Sequence, residues 1–168
     1  NQPLKKNKLQ DAYIRLLITR GVGDLGLDPR VCRKPSVVVV VDKLALFPSR
    51  CYKNGLQAIF SKTRRNIPEA INPTIKSMNY LNNILAKIEA NQGGVPEAIM
   101  LNADGFVCEC SGDNVFYIKD KAIVTPPVTA GVLEGITRAT VIEIIKKQTP
   151  YQLREELFTP DDIFSADE

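Results

Sequence analysis

Residues 12–20, Ala-Tyr-Ile-Arg-Leu-Leu-Ile-Thr-Arg, alternate with the two-residue period of a strand and set Tyr13, Arg15, Leu17 and Thr19 on one face. The unbroken β-branched run 37–41 predicts a second strand, buried on both faces because neither side is polar. Pro48 and the Asn54-Gly55 step mark residues 44–55 as a linker between a small unit, 1–43, and a larger one, 56–168. A strand over 56–62 is followed by an irregular stretch to Pro73 and a helix over about 77–91, whose stripe of Met78, Leu81, Ile84, Leu85 and Ile88 is expected to face the core. Gly93-Gly94 ends that helix. Strands over 97–101 and 106–110 flank Asn102-Ala103-Asp104-Gly105, whose Asp-Gly step is a hairpin signal, and strands over 115–118 and 122–124 continue a meander. A second amphipathic helix is expected over 136–147, a short strand near 151–155, and a further helix start at Thr159-Pro160-Asp161-Asp162. These elements define an α+β chain: the remainder of a small N-terminal unit and most of a strand-rich one with helices packed on it.

Composition narrows the chemistry. The 168 residues are 44% hydrophobic and 24% charged, an ordinary globular balance, and the net charge of +3 is too slight and dispersed for a nucleic-acid footprint. There is no His, which removes Ser-His and Cys-His nucleophiles, His-based zinc sites and His acid-base pairs. Chemistry must then come from Lys, Tyr, carboxylates, Cys or a cofactor. Cys32, Cys51, Cys108 and Cys110 include no Cys-x-x-Cys pair, so we expect reduced structural thiols, no metal site and a cytoplasmic protein. No apolar run approaches the ~20 residues needed to span a bilayer. The chain opens on Asn1 and closes just past a helix start, which reads as a sequence cut at both ends.

Four segments carry candidate chemistry. Gly21-Val22-Gly23-Asp24-Leu25-Gly26 matches a dinucleotide glycine pattern after a strand, but Leu27-Asp28-Pro29 follows where a helix should open, so it is read as a loop. Gly131-Val132-Leu133-Glu134-Gly135-Ile136-Thr137-Arg138 opens a helix, where unpaired amides and the Thr137 hydroxyl suit a phosphate or serve as a plain N-cap. Lys76 stands where an irregular segment turns into a helix with Tyr80 one turn on; a partly desolvated amine at a helix start has a lowered pKa and can attack a carbonyl. Glu109 lies near the end of an apolar strand, and a buried carboxylate needs a cation, which could be an Arg.

Taken in order, Tyr13-x-Arg15, the loop at 23–29, Lys76-Ser-x-Asn-Tyr-Leu-Asn-Asn-Ile-Leu-Ala-Lys-x-Glu-Ala90, Glu97-Ala-Ile-x-Leu-Asn-x-Asp-Gly105, Glu109-x-x-Gly-x-Asn114 and Gly135-Ile-Thr-Arg138 resemble the fold-type IV pyridoxal-phosphate enzymes. Within them the sequence is most similar to branched-chain amino-acid aminotransferases. The resemblance implies the D-amino-acid-aminotransferase-like fold, pyridoxal 5′-phosphate as cofactor, and transamination of Leu, Ile or Val with 2-oxoglutarate. It implies that Lys76 binds the cofactor covalently and moves the proton, that Tyr80 bonds its phenolic oxygen, and that Glu109 keeps its ring nitrogen protonated. Leu133, Ile136 and Thr137 would pack the ring and hold the phosphate. Tyr13, Arg15, Gly26, Leu27 and Gly112 would contact substrate, and the loop carrying Gly26 and Leu27 would reach a neighbouring subunit in a homodimer. Enzymes of this kind begin earlier, with a phosphate-binding Arg, and continue further, with a Thr-Gly-Thr-Ala-Ala-like segment. A D-amino-acid aminotransferase, an aminodeoxychorismate lyase or a non-catalytic fragment retaining the fold are the alternatives at this point.

Overall fold

A computed structural model describes residues 2–43 and 47–168, so Asn1 and positions 44–46 of the expected linker lie outside the described residues. The chain divides into two compact units, Asn1–Asn54 and Gly55–Glu168.

In the first unit α1 (Gln2–Asn7) precedes β1 (Tyr13–Thr19), which pairs antiparallel with β2 (Ser36–Asp42), Tyr13 opposite Asp42 and Thr19 opposite Ser36. The glycine-rich loop between them leads into a short 3-10 turn, Pro29–Val31, capped by the Asp28 side chain, which accepts from the Arg30 amide. Two expectations are corrected here. Val37, Val38, Val39 and Val40 are exposed, so β2 is not buried on both faces: among the described residues this unit holds a two-stranded ribbon and short helices, too little structure to cover it. The expected linker also holds a helix, α2 (Ser49–Asn54).

The second unit is built from two strand–helix–strand crossovers. β3 (Ala58–Phe60) runs through α3 (Leu81–Gln92) to a parallel β4 (Glu97–Leu101), and β5 (Val107–Cys110) returns antiparallel, giving the order β3-β4-β5. The Asn102–Gly105 turn joins them as expected, closed by the Asn102 side chain accepting from the Phe106 amide at 2.9 Å. β6 (Tyr117–Lys119) pairs with β7 (Ala122–Thr125), and α4 (Ile136–Gln148) carries the chain to β8 (Gln152–Glu155), parallel to β7. The two hairpins of the expected meander are present, β4 with β5 and β6 with β7, but β5 and β6 belong to different sheets, so the meander does not run through, and a parallel strand flanks each hairpin instead. α5 (Pro160–Phe164) starts in a capping box between Thr159 and Asp162.

Leu101, Val107, Tyr117, Ala122, Val124 and Phe158 form one core, with the Tyr117 and Phe158 rings edge-to-face at 4.8 Å. Ala86 and Ala90 seat α3 against Ala98 and Met100 of β4 in a second. This corrects the helix register, since the buried face of α3 is alanine and the stripe of Leu81, Ile84, Leu85 and Ile88 is exposed. Small side chains let the helix lie close to the strand, and the bulky stripe points away. A register shift between Met100 and Leu101 sets Leu101 opposite Val107 but Met100 opposite Glu109, so Cys108 is the extra residue of a bulge. Val107 therefore stays with the core while Glu109 takes the opposite face.

Candidate active site

Three segments of the second unit meet around one cleft of about 530 Å³, within the range of small-molecule sites. The loop before α3 brings Lys76 and Tyr80, the end of β5 brings Glu109 and Gly112, and the turn into α4 brings Leu133, Ile136 and Thr137. Every cofactor-site candidate read from the sequence lines this cleft. Arg65 lines it too.

Glu109 is buried, and both its oxygens are engaged: Oε1 accepts from Arg65 Nη2 at 2.7 Å and Oε2 from the Leu133 amide at 3.0 Å. Burial pushes the Glu109 carboxyl up, while the Arg65 guanidinium, the Leu133 amide and Lys76 pull it back towards ionisation. Arg65 was not among the sequence candidates. Its signal was the Arg64-Arg65 pair, which lies in a segment with no periodicity and so points nowhere by itself.

Lys76 sits differently from its expected setting. α3 begins at Leu81, with Tyr80 as its N-cap, so Lys76 is in an exposed loop and not at a helix start. The physical reason is local: Ser77 N–H bonds Ile75 O, Asn79 N–H bonds Ser77 Oγ and Tyr80 N–H bonds Met78 O, so tight turns take up the amides that a longer helix would have used. Lys76 therefore has neither the helix-start position nor the burial expected of it. Its nearness to Glu109 and Tyr80 across the cleft is what the structure supplies.

α4 opens on Gly135, which offers no side chain to its first turn. A Cβ at Gly135 would meet Asn114 Oδ1 at 3.3 Å, so the absence of a side chain keeps this end of the cleft clear. Bare first-turn amides, a hydroxyl at Thr137, an amine and a buried anion form a donor set that fits a phosphorylated pyridine aldehyde. The four cysteines are free thiols, and burial pushes Cys108 and Cys110 up to about 12, which keeps both neutral beside Glu109. Cys108 Sγ donates to Ala130 O at 2.8 Å.

The remaining candidates lie in the first unit. Tyr13 and Arg15 share one face of β1, with Arg15 Nη2 3.4 Å from Tyr13 Oη, and Gly26 and Leu27 sit in the β1–β2 loop, where Leu25 and Leu27 are fully exposed.

The chain belongs to the amino-transferase class IV family, which it matches over residues 1–168. A Methanocaldococcus jannaschii protein is 46% identical over 167 residues, covering 99% of this chain and 57% of the relative. The branched-chain amino acid aminotransferase of Escherichia coli superposes with a TM-score of 0.91 at 32% identity, over 98% of this chain and 55% of that one. A branched-chain amino acid aminotransferase from T.th., complexed with N-(5′-phosphopyridoxyl)-L-glutamate, gives a TM-score of 0.87 at 32% identity, over 99% of this chain and 53% of that one. The chain thus spans about half the length of the curated relatives it matches. The fold is that of the type IV aminotransferases, in mixed α/β form. Among the described residues no helix is long and apolar enough to cross a membrane.

Proposed function

We propose that this chain carries the cofactor site of a pyridoxal-phosphate aminotransferase acting on Leu, Ile and Val, with 2-oxoglutarate as amino acceptor. The observation that carries the reading is that Lys76, Tyr80, Glu109, Leu133, Ile136 and Thr137, widely separated in sequence, line one cleft. Relatives named for branched-chain substrates support the substrate class, and the phosphopyridoxyl-glutamate complex of one of them supports both the cofactor and a glutamate/2-oxoglutarate pair.

The bound cofactor supplies an electron sink for the substrate Cα–H bond. Lys76, lining the same cleft as Glu109, would hold the cofactor through its amine and, once released from it by the incoming substrate amine, would carry the proton between the substrate Cα and the cofactor's C4′. Tyr80 donates its hydroxyl to the phenolic oxygen. Glu109, as an anion, favours a proton on the ring nitrogen. Leu133 and Ile136 pack the ring, and the first turn of α4 with the Thr137 hydroxyl holds the phosphate. Tyr13 and Arg15 bind the substrate carboxylate. The reading extends to a cytoplasmic homodimer: free thiols suit a reducing compartment, and the fully exposed Leu25 and Leu27 suit a loop that a neighbouring subunit covers.

Borohydride reduction of the full-length, cofactor-loaded protein, followed by peptide mapping, should find the pyridoxyl group on Lys76. Lys76→Ala should lose the long-wavelength cofactor absorption and keep its fold. A label on another lysine, or transamination by Lys76→Ala, would overturn the assignment.

A further inference from the structure

We propose that Arg65 is a positioning residue that holds Glu109 as a carboxylate, and through it holds the proton on the cofactor's ring nitrogen. The inference rests on the reading of the cleft as a pyridoxal-phosphate site. Arg65 is fixed from four directions. Its amide donates to Leu101 O at 2.8 Å, Nη1 donates to Asn83 Oδ1 at 2.9 Å, Nε donates to Gly131 O at 3.4 Å, and Nη2 meets Glu109 at 2.7 Å. The Asn83 amide is in turn oriented by donating to Ser111 O at 2.8 Å. A buried guanidinium held this firmly by α3, β5 and the loop before α4, on a backbone tied to β4, is a permanent charge at one place.

A carboxylate has about four lone-pair positions, and Arg65 and the Leu133 amide use one on each oxygen of Glu109, so capacity remains for a third donor. When that donor is a pyridinium, one proton can lie on nitrogen, leaving two opposite charges, or on oxygen, leaving none. Burial favours the neutral arrangement and so the proton on Glu109. A cation 2.7 Å from the carboxylate acts the other way, since it attracts the adjacent anion more strongly than it repels a pyridinium beyond it. The other titratable groups that act on Glu109 or answer to it are Lys76, Cys108 and Cys110. Both thiols are neutral, and Lys76 is the reacting amine. The standing charge is that of Arg65.

The test is the ¹⁵N resonance of the ring nitrogen in full-length protein loaded with ¹⁵N-labelled pyridoxal phosphate, in wild type, Glu109→Gln, Arg65→Gln and Arg65→Lys, with circular dichroism as the check on folding. Wild type should show the protonated position and Glu109→Gln the unprotonated one. Arg65→Gln should move at least half of that displacement, and Arg65→Lys, which keeps charge but not the fork, a smaller part of it. Should Arg65→Gln not fold, Arg65→Met, which keeps the length of the stem and removes the charge, decides in its place, a displaced resonance supporting the proposal and an unmoved one overturning it. An unmoved Arg65→Gln resonance beside a moved Glu109→Gln resonance overturns the role of Arg65 and leaves the site reading standing. If Glu109→Gln does not move either, the site reading fails and the proposal with it.

Discussion

Glu109 is the buried carboxylate of the cleft, with a guanidinium on one oxygen and a backbone amide on the other. Glu109→Gln keeps the shape and removes the charge. In the full-length enzyme it should retain the cofactor yet slow single-turnover transamination by the worth of one charge-assisted hydrogen bond, roughly 1.5–3 kcal/mol, or about tenfold to a hundredfold. An unchanged rate would take Glu109 out of the mechanism. That Lys76, Tyr80 and Glu109 belong together was legible in the sequence because they sit in distinctive motifs, and the fold brings them to one cleft. Arg65 was not, since an arginine acquires a role only from what the fold sets against it, and here that is a strand and a helix that follow it in the chain.

At the scale of elements, strand and hairpin positions were legible from alternation and the Asp-Gly step, and the starts of α4 and α5 from Gly135 and Thr159-Pro160, whereas the start of α3 and the strand faces were not. α3 begins four residues late because Ser77 and Asn79 sit in turns. The bulge at Cys108 inverts the alternation that would have put Val107 and Glu109 on one face. Two glycines with left-handed backbones separate fold from site. Gly105 has φ +92° with open space where a Cβ would stand, and Gly131 has φ +100° with Arg65 Cγ, Pro73 Cγ and Cys108 Sγ at 3.6 to 3.7 Å from that point. Alanine at either should cost about 1–2 kcal/mol in backbone strain. Denaturant titration should show that loss for both, but cofactor titration should weaken only for Gly131→Ala, whose carbonyl anchors Arg65. Equal cofactor affinity in the two variants would detach residue 131 from the site.

For the whole molecule, the chain divides after Asn54, and the positions expected for a linker lie in the first unit apart from Gly55; the core was not legible in the sequence. Apolar periodicity marks what must be covered without saying by what, and Leu81, Ile84, Leu85 and Ile88 are exposed while Ala86 and Ala90 are buried. What organises the second unit is that the segments leading into α3 and α4 open on the same cleft, Tyr80 as the N-cap of one and Gly135 as the N-cap of the other. The positive ends of two helix dipoles and the Lys76 amine thus face one space, and any small oxyanion that enters it meets the same welcome as the cofactor's phosphate. The choice of buffer then becomes part of the biochemistry. Inorganic phosphate should compete with pyridoxal phosphate during reconstitution, so that titrations in phosphate give a weaker apparent affinity than titrations in an amine buffer brought to the same ionic strength with chloride, the loss growing with phosphate concentration. Identical affinities in the two would mean that the anion is held elsewhere. A preparation purified in phosphate or sulfate would carry its own inhibitor, and would look like a poor enzyme until it was dialysed.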